Sequence, residues 1–166
     1  MGPCAGGAVY SPALTDFVFM VQDTSYMFVT GPDVVKTVTN EVVTKEQLGG
    51  AKMHSTVSGV SHRAFKNDIH AISATRKLLG YLPQNSQTKR EHKDWSQHDE
   101  VNQASSQLLN NIIPNDPNKP YDMKFVIENV TDRQDFFEIM PEYAKNIITG
   151  FGEVGGKTVG FVANQP

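Results

Sequence analysis

One cysteine, Cys4, and one tryptophan, Trp95, stand in the 166 residues of this chain. A single thiol excludes a disulfide framework within the chain and leaves a cysteine-based zinc site without its other ligands. Long apolar runs are missing as well; none approaches the ~20 residues of a membrane-spanning helix. Lys and Arg number 15 against 18 Asp and Glu, a formal charge of −3. With no basic stripe and no interleaving of aromatic with basic residues, nothing marks a nucleic-acid binder. No signal or transit segment is visible. No tandem repeat recurs at spacings of about 20–50 residues, and no G-x-G-x-x-G loop follows a strand. Metal is not indicated either. His54 and His62 lie eight residues apart without a carboxylate pair, whereas zinc sites take tighter clusters.

What the sequence does have is an opening glycine run. Gly2-Pro3-Cys4-Ala5-Gly6-Gly7-Ala8 leads directly into Val9-Tyr10-Ser11-Pro12-Ala13-Leu14, which predicts the first turns of a buried helix. A glycine pair at a loop-to-helix junction presents backbone N–H groups with no side chain in the way. The helix dipole favours negative charge at that spot. Such a junction suits a phosphate or the oxyanion of a thioester enolate; the same residues also suit a tight packing turn. Cys4 is read as a buried structural residue.

Beyond the glycines, short apolar segments alternate with helix signals. Asp16–Val21 and Ser25–Val29 are expected strands. Gly31-Pro32-Asp33 starts a helix, with Pro at its first position and an acid in its first turn; Val34, Val35 and Val38 form its apolar side. Thr44 and Gln47 fit a capping box. Asn67-Asp68 caps a helix whose stripe is Ile69, Ile72 and Leu79, with Ala71, Ala74, Leu78 and Leu82 alongside. Gly80 and Pro83 stop it. From Gln84 to Pro120 the composition turns polar and includes Pro114, Pro117 and Pro120, as a linker does. Asp122 then caps a helix with Met123, Val126, Ile127 and Val130 on one face. Thr131–Glu138 is expected to be a second short helix. Asn146–Phe151 and Lys157–Ala163 are expected strands, with Gly155-Gly156 as a two-residue hairpin signal between them. The element order suits an α/β fold, and periodicity alone leaves many such folds open.

Three segments carry more than local signals. GPCAGGAVYSPALTDFVFMVQDTSYMFVTGPDVVKTVTNE, LGGAKMHSTVSGVSHRAFKNDIHA and FFEIMPEYAKNIITGFGEVGGKTVGFVANQP resemble the carboxyltransferase (beta) subunits of the biotin-dependent acyl-CoA carboxylases, in particular the propionyl-CoA carboxylase type. The likeness covers nearly the whole chain and weakens from about Gln84 to Pro120. It implies a crotonase-like (ClpP/crotonase) ββα superhelix, built as two tandem halves in a subunit much longer than this chain. On that basis residues 1–83 end the amino-terminal half, 84–120 form a polar connector, and 121–166 start the carboxy-terminal half. Met1 then looks like an internal methionine and the chain like a middle fragment.

The same resemblance matches Gly6 and Gly7 to backbone donors that hold the thioester carbonyl of an acyl-CoA. The implied reaction is carboxyl transfer from carboxybiotin to the alpha carbon of propionyl-CoA, giving methylmalonyl-CoA. In the family the biotin N1 serves as base, so no side-chain acid or base is required. Biotin is carried on an alpha subunit with biotin carboxylase and biotin carrier domains, where ATP is used. A beta-subunit hexamer is implied, in the mitochondrial matrix for a eukaryotic chain or the cytoplasm for a bacterial one. The family's earlier glycine loop and its biotin-holding pair fall outside this sequence, so the chain alone is expected to be inactive. A carboxylase for acetyl-CoA or another acyl-CoA, a sodium-pumping decarboxylase, and a non-catalytic structural fragment are the alternatives. Hydratases of the crotonase superfamily are disfavoured: they place a glutamate just after the glycine run, where this sequence has Val9 and Tyr10.

The other tempting residues have plainer readings. His54 and His62 are expected to be structural or surface residues, His70 to face outward, and His92 and His98 to be solvated. Lys89, Arg90 and Lys93 either attract CoA phosphates or are solvated linker charge. Phe136, Phe137, Met140 and Tyr143 suit core or subunit packing.

Overall fold

The computed structural model describes residues 1–89 and 106–166; the expectations for Arg90, His92, Lys93 and His98 lie outside them. The chain divides into two compact units, Met1–Arg76 with Met140–Ala144, and Lys77–Ile139 with Lys145–Pro166.

In the first unit β1 (Pro3–Ala5) pairs in parallel with β3 (Tyr26–Phe28), and β2 (Phe19–Val21) in parallel with β4 (Arg63–Phe65). Successive strands therefore alternate between two sheets, the device by which a ββα superhelix grows. Two apolar clusters hold the sheets. Val9, Val18, Met20, Met27 and Ala51 form one, with Cys4, Val60 and Ala64 packed on it. Val21, Phe65 and Ala71 form the other, with Phe19 and Ala74 against it. Cys4 is thus a half-buried packing residue.

Gly31 and Pro32 start α2 (Pro32–Thr39) as predicted, and Asn40 ends it in the left-handed region with φ 59°. Its valine side does not face a core: Val34 and Val38 are exposed. The capping box forms at α3 (Lys45–Gly49). Thr44 Oγ1 accepts from the Gln47 N–H at 3.2 Å, and Gln47 Oε1 accepts from the Thr44 N–H at 3.0 Å. Gly49 then passes so close to β3 that any Cβ would collide with the Met27 carbonyl. α4 (Ala51–Met53) runs into a π-helical turn, His54–Ser58, which Gly59 closes with φ 70°.

α5 (Asp68–Tyr81) is capped by Asn67, whose Oδ1 accepts from the His70 N–H at 2.9 Å. Its buried face corrects the expected one. Ile69, Ile72 and Leu79 are 76%, 48% and 59% exposed, while Ala71, Leu78 and Tyr81 are buried. The small Ala71 and Ala74 side chains pack against the Val21 and Phe65 cluster, and Tyr81 stacks on Phe151 at 6.2 Å. Close approach on the alanine face and ring packing outweigh the wider stripe.

The second unit holds an antiparallel sheet in the order β5 (Phe136–Ile139), β6 (Ile147–Val154), β7 (Lys157–Asn164). The helix expected over Thr131–Glu138 is not formed. A 3-10 turn, Asp132–Gln134, is followed at once by β5. Arg133 and Gln134 take φ 57° and 54°, a conformation that a right-handed helix cannot continue through, and Phe136 pairs with Gly152 of β6. Phe137 and Ile148 are buried. Gly155-Gly156 makes the predicted hairpin turn with φ 59° and 73°, as a type I′ turn requires. The Asp132 carboxylate accepts from both of their N–H groups, at 3.0 and 2.7 Å. α6 (Met123–Val130) is capped by Asp122, which accepts from the Lys124 N–H at 3.0 Å.

Candidate functional site

β1 delivers the glycine pair to its carboxyl end. There the chain enters a 3-10 turn, Gly6–Val9, and then the single-turn α1 (Tyr10–Ala13). The expected buried helix is a short, largely exposed one. Only Val9 turns into the core; Tyr10 and Leu14 are exposed. Four helical residues make about one turn, which directs one side chain inward. Gly6 takes φ +66°, a conformation that side-chain-bearing residues adopt at a cost. Space around the pair is open: a Cβ built on Gly6 or Gly7 meets nothing within 4 Å.

The two amides are not equivalent. Gly6 N–H donates to the Val29 carbonyl at 3.1 Å, extending the contact of the β1 and β3 segments one step past the strand ends. Gly6 N–H is therefore paired with the backbone in this structure, whereas the sequence reading has both glycines as donors. Gly7 stands in the first turn, where the helix supplies no acceptor for an N–H. It donates in none of the loop or cap bonds of the described residues.

Two histidines brace the surrounding strands. His54 Nε2 lies 2.7 Å from the Met27 carbonyl of β3, and its Nδ1 lies 2.7 Å from Ser58 Oγ. His62 Nδ1 accepts from the Val18 N–H at 3.0 Å, while the His62 N–H donates to the Val18 carbonyl at 2.8 Å. An accepting Nδ1 means a neutral ring with its proton on Nε2. Burial lowers the pKa of His62 from its ordinary 6.5, in keeping with that state. Both histidines are structural residues with satisfied partners, as expected, and His70 is exposed.

Contacts that the sequence did not signal hold the π-helical turn from its other side. Ser55 Oγ donates to the Glu142 carboxylate at 3.1 Å across 87 residues of sequence. Met140 N–H donates to the His62 carbonyl at 2.9 Å. The Tyr143 ring lies against Gly59, where a Cβ would stand 3.0 Å from it. Nothing local in Ser-Thr or Pro-Glu-Tyr marks such partners. Among the described residues, no group of three or more His, Cys, Asp or Glu stands where it could hold a metal ion. No helix among them is long and apolar enough to cross a membrane. In the second unit, Lys89 lines a cavity of about 490 Å³ together with Lys157, Tyr81 and Phe151.

A glycine turn follows a parallel strand, and successive strands alternate between two sheets. The carboxyl transferase domain family matches residues 1–166, and the chain belongs to that family. Within it, the chain is 57% identical over all 166 residues to the mitochondrial propionyl-CoA carboxylase beta chain of Homo sapiens, covering 30% of that protein. It is also 51% identical, over all of its own length and 32% of the relative's, to the methylmalonyl-CoA decarboxylase subunit alpha of Veillonella parvula. The crystal structure of transcarboxylase 12S, described for its hexamer assembly and with hydrolysed methylmalonyl-coenzyme A bound, matches with a TM-score of 0.89 at 43% identity. That match covers 99% of this chain and 32% of the other. The fold is crotonase-like, as the sequence resemblance implied. The chain spans about three-tenths of the length of the curated relatives it matches.

Proposed function

We propose that this chain forms the acyl-CoA-holding part of a carboxyltransferase that carboxylates propionyl-CoA at its alpha carbon, giving methylmalonyl-CoA. The observation that carries the reading is the Gly7 amide, set in an open turn whose neighbour, Gly6, is tied to Val29. The identity to the human propionyl-CoA carboxylase beta chain supports the choice of substrate. Loss of a proton beside a thioester builds negative charge on the carbonyl oxygen, and a fixed N–H donor stabilises it without reorganising. Gly7 supplies one donor. A segment that spans about three-tenths of the length of its relatives does not turn over by itself.

Biotin, carried by an alpha subunit that spends ATP to charge it, supplies the carboxylate; no residue of this chain is assigned to hold it. The beta subunits assemble as a hexamer, in the mitochondrial matrix of a eukaryote or the cytoplasm of a bacterium. A second reading follows from the decarboxylase relative: the same oxyanion donor serves removal of the carboxylate as well as its addition, because both pass through the same enolate.

The test is transfer by the intact enzyme that contains this segment. Rates with acetyl-, propionyl- and butyryl-CoA, and release of carbon dioxide from methylmalonyl-CoA, are compared. Preference for propionyl-CoA supports the first reading. Decarboxylation without carboxylation supports the second. Absence of both would leave only a structural role.

A further inference from the structure

We propose that His54 is a positioning residue for this site. By donating to the Met27 carbonyl it holds β3 in place, which keeps Gly6 bound to Val29 and so aims the Gly7 amide. This inference rests on the functional reading above.

The ring is held at both nitrogens, 2.7 Å from the Met27 carbonyl and 2.7 Å from Ser58 Oγ. A carbonyl only accepts, so Nε2 carries a proton and donates it to Met27, while Nδ1 is bonded to Ser58 Oγ. His54 is thereby a strut held at both ring nitrogens. Its far end is the central residue of β3, paired with Cys4 of β1. Gly49 is backed against the same carbonyl so closely that it leaves no room for a Cβ. Two residues on from Met27, the Val29 carbonyl accepts the Gly6 N–H at 3.1 Å. A shift at Met27 is therefore passed along a three-residue strand to the glycine turn.

The near end of the strut is fixed as well. Ser61 N–H donates to the His54 carbonyl at 3.1 Å, Ser55 donates to Glu142, and the Tyr143 ring covers Gly59. π-helical turns are rare and concentrate at functional sites. Here the turn places an imidazole where a rigid donor reaches the strand.

The test uses the intact, assembled carboxylase containing this segment. In His54→Ala, kcat for carboxyl transfer falls about ten-fold while KM for acyl-CoA stays within about two-fold, the pattern of an interaction felt in the transition state. Hydrogen exchange at the Gly6 amide quickens about five- to ten-fold, the worth of one hydrogen bond. His54→Gln, whose side-chain amide can donate to Met27, restores both readouts. Ser58→Ala frees Nδ1 and moves both in the same direction by less; it decides the matter if His54→Ala does not fold. Unchanged kcat and unchanged Gly6 exchange in a folded variant overturn the inference, as does a loss that His54→Gln fails to recover. The underlying reading is judged separately, by Gly7→Pro. If Gly7→Pro is inactive while His54→Ala is normal, only the role of His54 is lost.

Discussion

Gly7→Pro removes one N–H, and it also restricts the residue before it, Gly6, whose φ is +66°. Gly7 is not among the glycines with positive φ, so the fixed φ of proline suits it, and proline is accommodated in the first turn of a helix. The space beside Gly7 is open, with nothing within 4 Å of a Cβ. No intrahelical bond is lost, because the first turn has no acceptor for that amide. Thermal unfolding of the intact enzyme should therefore shift little, by no more than ~1 kcal/mol, the size of an ordinary surface change. Catalysis should not be spared. Deleting one oxyanion donor costs about 10²–10³ in kcat, or ~2.7–4 kcal/mol. The control is Gly7→Ala, which keeps the N–H and adds only a methyl in free space. Steady-state carboxylation of propionyl-CoA by both variants gives the ratio that isolates the amide. The effect should fall on kcat with little change in KM, because the charge it answers develops only as the enolate forms. A Gly7→Pro enzyme that folds normally and turns over within about three-fold of Gly7→Ala, far short of the loss expected for an oxyanion donor, would refute the assignment.

Two further outcomes follow from the structure. His62 is neutral in the fold and its pKa lies below 6.5, so the unfolded chain binds more protons as pH falls below that value. The contribution of His62 to stability is fully present above pH 6.5 and is lost as pH drops through the lower folded value; urea unfolding above and well below pH 6.5 should show a decline that His62→Asn reduces. Ile148, the second residue of β6 and 1% exposed, should cost about 2–5 kcal/mol when cut to alanine, through lost burial and the cavity left behind; chemical denaturation reads it directly, and a change under ~1 kcal/mol would mean that the β5–β6–β7 sheet is not packed as described.

Elements governed by local chemistry were legible in the sequence. The Thr44–Gln47 box, the Asn67 and Asp122 caps and the Gly155-Gly156 turn each depend on residues within a few positions of one another, and all are in place. Elements governed by distant partners were not. Thr131–Glu138 carries helix-compatible residues, but pairing of Phe136 with Gly152 draws it into a sheet. Ile69, Ile72 and Leu79 make the more apolar stripe on α5, yet the alanine face lets the helix come closer to Phe65 and Val21. Hydrophobicity ranks a face by what it could bury; packing ranks it by how near its neighbours can approach.

The site divides along the same line. A glycine pair beside a helix start announces unencumbered amides, and the family resemblance turned that into two donors. Whether an amide is available depends on who accepts from it, and for Gly6 the acceptor is Val29, 23 residues away in the adjoining segment. On the function proposed above, the Gly6–Val29 bond does not weaken the turn as an oxyanion site. An N–H locked to a neighbouring segment fixes the peptide planes around it, and catalysis gains from donors that need not move when charge appears. On that proposal, rigidity at Gly6 and availability at Gly7 are complementary: one amide anchors the turn so that the next can face an oxygen at constant distance.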